Sequence, residues 1–346
     1  MIATGGAVRL TGSGLGCSEW PLCTPESLVP TEAMGFHGVI EFGNRTLTGL
    51  VGILAIIVLL TTLRAVGGRR SLAAALWFAL GALGAGAAAW GLAAVAGFTG
   101  AAGFPFFTGG LILVTVAGAV HSLRTVPERR DLAALAWVVL IGVMAQAFVG
   151  GITVLTQLNP FIVGFHYTLS VVLVSVTAAY LVRMSDVPGP RELAVPLWFA
   201  ILSHATGLAL AATIFFGVLT TGSGPHSGDA NVIREGFDAS ALAHVHSWPG
   251  YVLALLVAVL TAAAWALRLP LRRWLVVLAL VIVVQVVVGV AQARNGLPPL
   301  LVGIHMVLAA LSAAAYTVIV LRLKRPANPS VDGVASAGAS STVPAK

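Results

Sequence analysis

Apolar residues in this chain come in long unbroken runs, and short polar stretches separate one run from the next. A helix that crosses a bilayer needs roughly 20 consecutive apolar residues. By that measure complete spans are predicted at 35–64, 71–98, 104–124, 132–152, 160–183, 193–219, 241–267, 271–292 and 300–322. Residues 1–10 read as the closing turns of a further helix whose beginning is absent. A cleavable leader is the poorer reading, since the stretch has no charged start and no apolar run of roughly 7–15 residues. The tail, 326–346, is rich in Ala, Ser, Val and Pro and is expected to lack fixed structure.

The pattern repeats. Leu158-Asn159-Pro160-Phe161-Ile162-Val163-Gly164-Phe165-His166 returns as Leu297-Pro298-Pro299-Leu300-Leu301-Val302-Gly303-Ile304-His305, an offset of 139 that also carries Gln146 onto Gln285 and Gly150 onto Gly289. Thr11-Gly12-Ser13-Gly14 returns as Thr221-Gly222-Ser223-Gly224 at an offset of 210. The first half therefore holds about 70 more residues between these landmarks (210 against 139), which matches the helix pair at about 71–124. Without that pair each half is a four-helix unit, 1–183 and 193–322. The fold class predicted is an all-α polytopic membrane protein. It would be built of two pseudo-symmetric four-helix units, related by an axis along the membrane normal, with an inserted pair in the first.

Composition agrees and removes other classes. Hydrophobic residues make up 58% and charged residues 9% of the 346, with a mean hydropathy of +0.98, which no soluble globular domain shows. The net charge of +7 would suit a polyanion, but its placement does not. Of 19 Lys and Arg, all except Arg9, Arg45, Arg234 and Arg294 fall in alternate inter-helix loops or the tail, as the positive-inside rule asks of cytoplasmic loops. A multi-pass protein of the plasma membrane with a cytoplasmic C-terminus is expected, its partner lipid rather than nucleic acid. Residues 11–34 and 220–240 then lie outside, the first with Cys17 and Cys23, where a disulfide and a reduced pair are both open.

Ionisable residues inside spans are costly and mark candidate sites. His37, Glu41 and Asn44 begin one span, His166 a second, His244 and His246 a third, and His305 a fourth. All four helices run in the same direction, which gathers these side chains in the outer leaflet. A layer of imidazoles among apolar helices suits a haem, whose macrocycle is apolar and whose iron accepts neutral imidazole from facing helices. His37, Glu41 and Asn44 share one helical face, with Arg45 adjacent to meet a propionate or to neutralise Glu41. Spacing alone leaves Glu41 divided between proton transfer and a structural ion pair. The half-to-half alignment places His246, rather than His244, opposite Asn44. His121 falls at the cytoplasmic end, His204 reads as an internal hydrogen-bonding group, and His226 as a solvated loop residue.

At these residues the chain resembles haem A synthase. The matching segments are Thr11-Gly12-Ser13-Gly14-Leu15-Gly16-Cys17 with Trp20-Pro21-Leu22-Cys23, Ile40-Glu41-Phe42-Gly43-Asn44-Arg45, Gly150-Gly151-Ile152-Thr153-Val154-Leu155 leading to His166, Thr221-Gly222-Ser223-Gly224-Pro225-His226-Ser227-Gly228-Asp229, and Leu301-Val302-Gly303-Ile304-His305. The resemblance implies a membrane oxidoreductase that converts haem O to haem A by successive hydroxylations of a methyl group, for cytochrome oxidase. It implies a haem b cofactor between His246 and His305, a substrate haem at His166, Glu41 as the catalytic carboxylate, and Cys17 with Cys23 as the external pair. A haem O synthase, oxidase assembly factors and a second copy of the chain are the partners it brings into view. One departure stands out: many members have histidine where this chain has Asn44, which leaves the substrate haem to His166 alone or gives its second ligand to His37. The inserted helices are the other.

Overall fold

The computed structural model describes residues 1–232 and 238–327. Nine α-helices carry this part of the chain: α1 (Ile2–Leu10), α2 (Gly35–Val95), α3 (Phe104–Thr125), α4 (Arg130–Leu155), α5 (Pro160–Ser185), α6 (Leu197–Gly222), α7 (Ala239–Ala266), α8 (Arg272–Arg294) and α9 (Pro299–Arg322). Eight of them, α2 to α9, are long and apolar enough to cross a membrane. The protein is a multi-pass, all-helical membrane protein. Its outer surfaces expose large apolar side chains such as Trp77, Leu113, Leu208 and Leu300, which in water would be a liability and against acyl chains is not.

Eight rather than nine reflects one correction. The predicted spans 35–64 and 71–98 are joined in α2, where a polar loop was expected around Arg64, Arg69 and Arg70. Sixty-one residues in one straight helix would run about 90 Å, some three times a bilayer core of about 30 Å. Gly68 resolves this with φ 70° and ψ −164°, a non-helical conformation essentially confined to glycine, so one residue does what a loop was expected to do. The second arm then packs antiparallel to α3: Phe78 lies against Gly118, Ala85 against Gly110, Phe107 against Gly86, and Trp90 against Gly103. At the turn itself Gly67 fits between Ser71 and Val126.

Two further boundaries differ. The span expected from 193 begins at Leu197, because Pro196 holds its neighbourhood extended and residues Arg191–Leu193 form strand β1. That strand pairs antiparallel with β2 (Lys324–Pro326), and Arg325 meets Glu192 at 2.9 Å. Pro326, placed in the unstructured tail on composition, is thus part of a ladder; the tail from 328 onward lies outside the described residues. Thr221 and Gly222, expected in a loop, close the last turn of α6.

Among the described residues three apolar clusters hold the bundle. One joins α2, α3 and α4 through Ala55, Leu59, Leu63, Ala75, Ala119, Ala133 and Trp137. A second joins α6 to α9 through Phe199, Leu210, Leu253, Leu260, Leu275 and Ile319. The third lies between α5 and α9 and contains Val171 with Ala310 and Val174 with Ala313, each pair 139 residues apart. Tyr167 donates its hydroxyl hydrogen to the carbonyl of Met306, again 139 residues on, at 2.8 Å. The helices that carry His166 and His305 therefore run side by side in register.

Gly68→Val should destabilise the protein by about 1–3 kcal/mol, the cost of forcing a β-branched residue into this conformation. Unfolding of the purified protein in detergent measures it, with Gly67→Ala as a test of the neighbouring close contact.

Candidate functional site

The helices of His166 and His305 begin alike. Gln157 and Leu158, then Gly296 and Leu297, take positive φ, and the chain enters each helix at a proline, Pro160 or Pro299. Proline suits that first helical position, where its missing N–H has no partner to lose. Asn159 adds a side-chain cap to Phe161. Six residues on, about 9 Å along the axis at 1.5 Å per residue, stand His166 and His305.

Each histidine is backed by the same two residues of the preceding helix. The side-chain amide of Gln146 donates to the carbonyl of His166 at 2.9 Å, and that of Gln285 to the carbonyl of His305 at 3.0 Å. A Cβ on Gly150 would lie 3.4 Å from the His166 ring, and one on Gly289 would lie 3.0 Å from the His305 ring. The glycines allow helix backbone to approach the imidazole edge; the glutamines occupy backbone carbonyls that hydrocarbon would otherwise surround.

His246 has a glycine of its own. A Cβ at Gly217 on α6 would stand 2.9 Å from its ring. Its Nδ1 lies 2.9 Å from the carbonyl of Thr213, an acceptor, so Nδ1 carries the hydrogen and Nε2 presents its lone pair. The rings of His246 and His305 stand 6.2 Å apart with planes at 76°. Metal–imidazole bonds are about 2.0–2.1 Å, so two imidazoles on opposite sides of one ion have centroids roughly 6 Å apart. The Nδ1 of His305 is buried without a hydrogen-bond partner. These residues fit an iron held between two axial imidazoles. His244, by contrast, is exposed and bonds back to the carbonyl of Ser240 in its own helix.

The first half differs. Asn44 lines an open groove of about 590 Å³ with Thr4 and Ala7 of α1 and Val39, Ile40, Gly43, Thr46 and Leu47 of α2. Ala7 and Gly217 are separated by 210, the offset of the Thr-Gly-Ser-Gly echo, so Asn44 faces α1 where His246 faces α6. The side-chain oxygen of Asn44 and the Nδ1 of His166 are buried without hydrogen-bond partners. His37 is exposed and is held by Ser13, whose hydroxyl lies 2.9 Å from its Nδ1.

Glu41 is buried, and both of its carboxylate oxygens are engaged: Oε1 accepts from Arg45 at 2.5 Å and Oε2 from the backbone N–H of Cys17 at 2.6 Å. Arg45 also donates to the carbonyls of Leu22 and Cys17. Cys17 and Cys23 form a disulfide, both fully buried, so one cation ties a disulfide-closed loop to the carboxylate beneath it. The loops of the two halves meet here: Gly14 donates to the carbonyl of Gly228, Arg9 to those of Thr221 and His226, and His226 bonds the carbonyl of Leu297. His226, expected to be solvated, is instead part of this layer.

His121 lies on the exposed side of α3 against Phe78, and His204 is on the exposed face of α6 rather than inside. Thr213, Gly217, Ser13 and Trp20 were not legible as site residues in the sequence. Only the 210 offset, extended one helix back, would have pointed to Gly217. Among the described residues no three His, Cys, Asp or Glu side chains cluster as a metal site.

Arg45→Met should destabilise the protein by about 3 kcal/mol or more, because Glu41 would be left buried without its cation and two loop carbonyls without a donor. Arg45→Lys should recover only part of this, as an ammonium cannot span three acceptors in a planar fork. Unfolding in detergent reads both.

In the curated proteins, a stretch of 64 residues is 44% identical to "Heme A synthase" of Exiguobacterium sibiricum, 18% of this chain and 21% of that one. The match thus spans about a fifth of that relative's length. No solved structure matches. The COX15-CtaA family, described as cytochrome oxidase assembly protein, matches residues 1–97 and 106–317, nearly the whole of the described chain and most of the helix pair that the repeat marks as surplus. The chain belongs to the COX15-CtaA family of cytochrome oxidase assembly proteins.

Proposed function

We propose that this protein oxidises the methyl group of haem O to the formyl group of haem A for cytochrome oxidase. The observation that carries this is the pair of glycine-backed histidine positions at His166 and His305, in a chain of this family, with a second imidazole, His246, facing His305. Two equivalent histidine positions with unlike surroundings suit one resident cofactor and one substrate of like shape.

The halves 1–183 and 193–322 would then be pseudo-symmetric four-helix units about an axis between α5 and α9, where residues 139 apart touch. His246 and His305 would hold haem b, whose iron accepts and passes on electrons one at a time when bound. His166 would bind the iron of haem O, with Asn44 and no second imidazole across from it. Gly150 and Gly289 let the helix backbone lie close to each ring. The change from methyl to formyl adds one oxygen, as from water, and releases four protons and four electrons; Glu41 would take up a released proton at a carboxylate oxygen, the electrons would pass to an external oxidant, and Arg45 and the Cys17 N–H keep that carboxylate in place. With the arginine-rich loops in the cytoplasm of a plasma-membrane protein, both pockets and the disulfide lie at the outer surface, and the C-terminus lies inside. A haem O synthase and oxidase assembly factors are the partners this role calls for.

The engagement of both Glu41 oxygens favours a second reading, a two-haem electron carrier in which Glu41 is structural. Chromatography of haems from membranes supplied with haem O separates the two. Haem A or its hydroxylated intermediate should appear only with the protein present, and Glu41→Gln should abolish it with the haem b content intact. Haem b alone, unchanged by Glu41→Gln, would select the carrier.

Spectroscopy tests the two pockets separately. His246→Ala or His305→Ala should remove the low-spin, six-coordinate signal, while Asn44→His should convert the substrate haem from high spin to low spin. A wild-type substrate haem that is already low spin, and becomes high spin in His37→Ala, would assign the second ligand to His37.

A further inference from the structure

The helix pair made by the second arm of α2 and by α3 packs against the rest of the protein at a place that bears on the site. Trp20 lies within the loop closed by Cys17 and Cys23. Its ring stands 5.0 Å from Phe104, at the start of α3, with planes at 86°, and 6.0 Å from Phe148 on α4. A Cβ on Gly151 would overlap it, so α4 presents bare backbone to the indole. Gly151 adjoins Gly150, which backs His166. Phe104 in turn stacks on Phe107, and Phe107 meets Trp90 of the opposite arm. An aromatic row thus runs from α4 through the loop into both arms of the pair. Phe104 lies in residues 98–105, between the two stretches that match the family, while Trp20, Phe148, Phe107 and Trp90 lie within them.

We propose that the helix pair latches the disulfide loop: Phe104 pins Trp20 against α4, and the loop so held delivers the Cys17 N–H and the Cys17 and Leu22 carbonyls to Glu41 and Arg45. Phe104 and Trp20 are positioning residues, since neither touches the carboxylate. The two sulfurs are fully buried, so a reductant in water reaches them only when the loop opens. The rate of disulfide reduction therefore reports the latch directly, whether or not the protein oxidises haem.

The test is reduction of the full-length protein in detergent by a water-soluble phosphine, followed by maleimide capture of the freed thiols. Phe104→Ala should speed capture by about three- to tenfold, the effect of losing one edge-to-face aromatic contact from a local opening, and Trp20→Ala, which loses two, by at least as much. Phe104→Tyr should restore the wild-type rate. Phe78→Ala, which removes a comparable side chain from the far end of the same helix pair, should leave the rate unchanged. Equal rates for Phe104→Ala and wild type would overturn the latch. So would acceleration by Phe78→Ala as large as that by Phe104→Ala, which would show general loosening of the pair.

Discussion

An imidazole inside an apolar bundle has no water to satisfy its nitrogens or the backbone around it, so whatever partners they have must come from the bundle itself. Much of the structure follows from that constraint at His166, His246 and His305. Gln146 and Gln285 occupy the backbone carbonyls of two of them, and the carbonyl of Thr213 takes the ring hydrogen of the third. At His246 this leaves the Nε2 lone pair, whereas the Nδ1 atoms of His166 and His305 are buried without a hydrogen-bond partner. Glycine is the other half of the arrangement. At Gly150, Gly217 and Gly289 a side chain would occupy the space beside the imidazole edge, and its absence brings a rigid helix against the ring.

The two helices that begin the histidine pockets are also the helices that join the halves. Tyr167 and Met306 follow His166 and His305 directly in sequence, so the seam between α5 and α9 lies about 100° around each helix from the imidazoles. A packed seam of Val171, Val174, Ala310 and Ala313 thereby fixes how His166 and His305 stand relative to one another. Any movement of one helix along the other would shift both.

Above the pockets, charge does what packing does below. Arg45 spans two carbonyls of the disulfide loop and one oxygen of Glu41, and Arg9 spans two carbonyls of the corresponding layer in the other half. Guanidinium suits both places because its donors fan out in a plane and its charge is never lost. A buried carboxylate with its cation beside it is compatible with proton handling and with simple cohesion. The geometry joins these roles, since the residue that would move a proton also anchors the loop over it.

Seven of the span positions could be read from the chain to within about four residues, because hydrocarbon tolerates few ways to satisfy a backbone and a run of apolar residues then has to be helical. The correspondence of the two histidine motifs was equally plain, since similar local sequence gave similar positive-φ turns, a proline at each helix start and a glutamine bond to the carbonyl of each histidine. The reversal at Gly68 was not, for nothing local distinguishes a glycine that ends a span from one that turns it over within a single residue. Nor did the sequence show that Thr213 and Gly217 meet His246, that Trp20 lies between Phe104 and Phe148, or that Arg45 reaches past Glu41 to two carbonyls of the disulfide loop. These contacts join residues on different helices and loops whose facing is set by packing. Hydrophobicity decides which segments enter the membrane, and only the fit of one helix surface against another decides what their polar residues meet there.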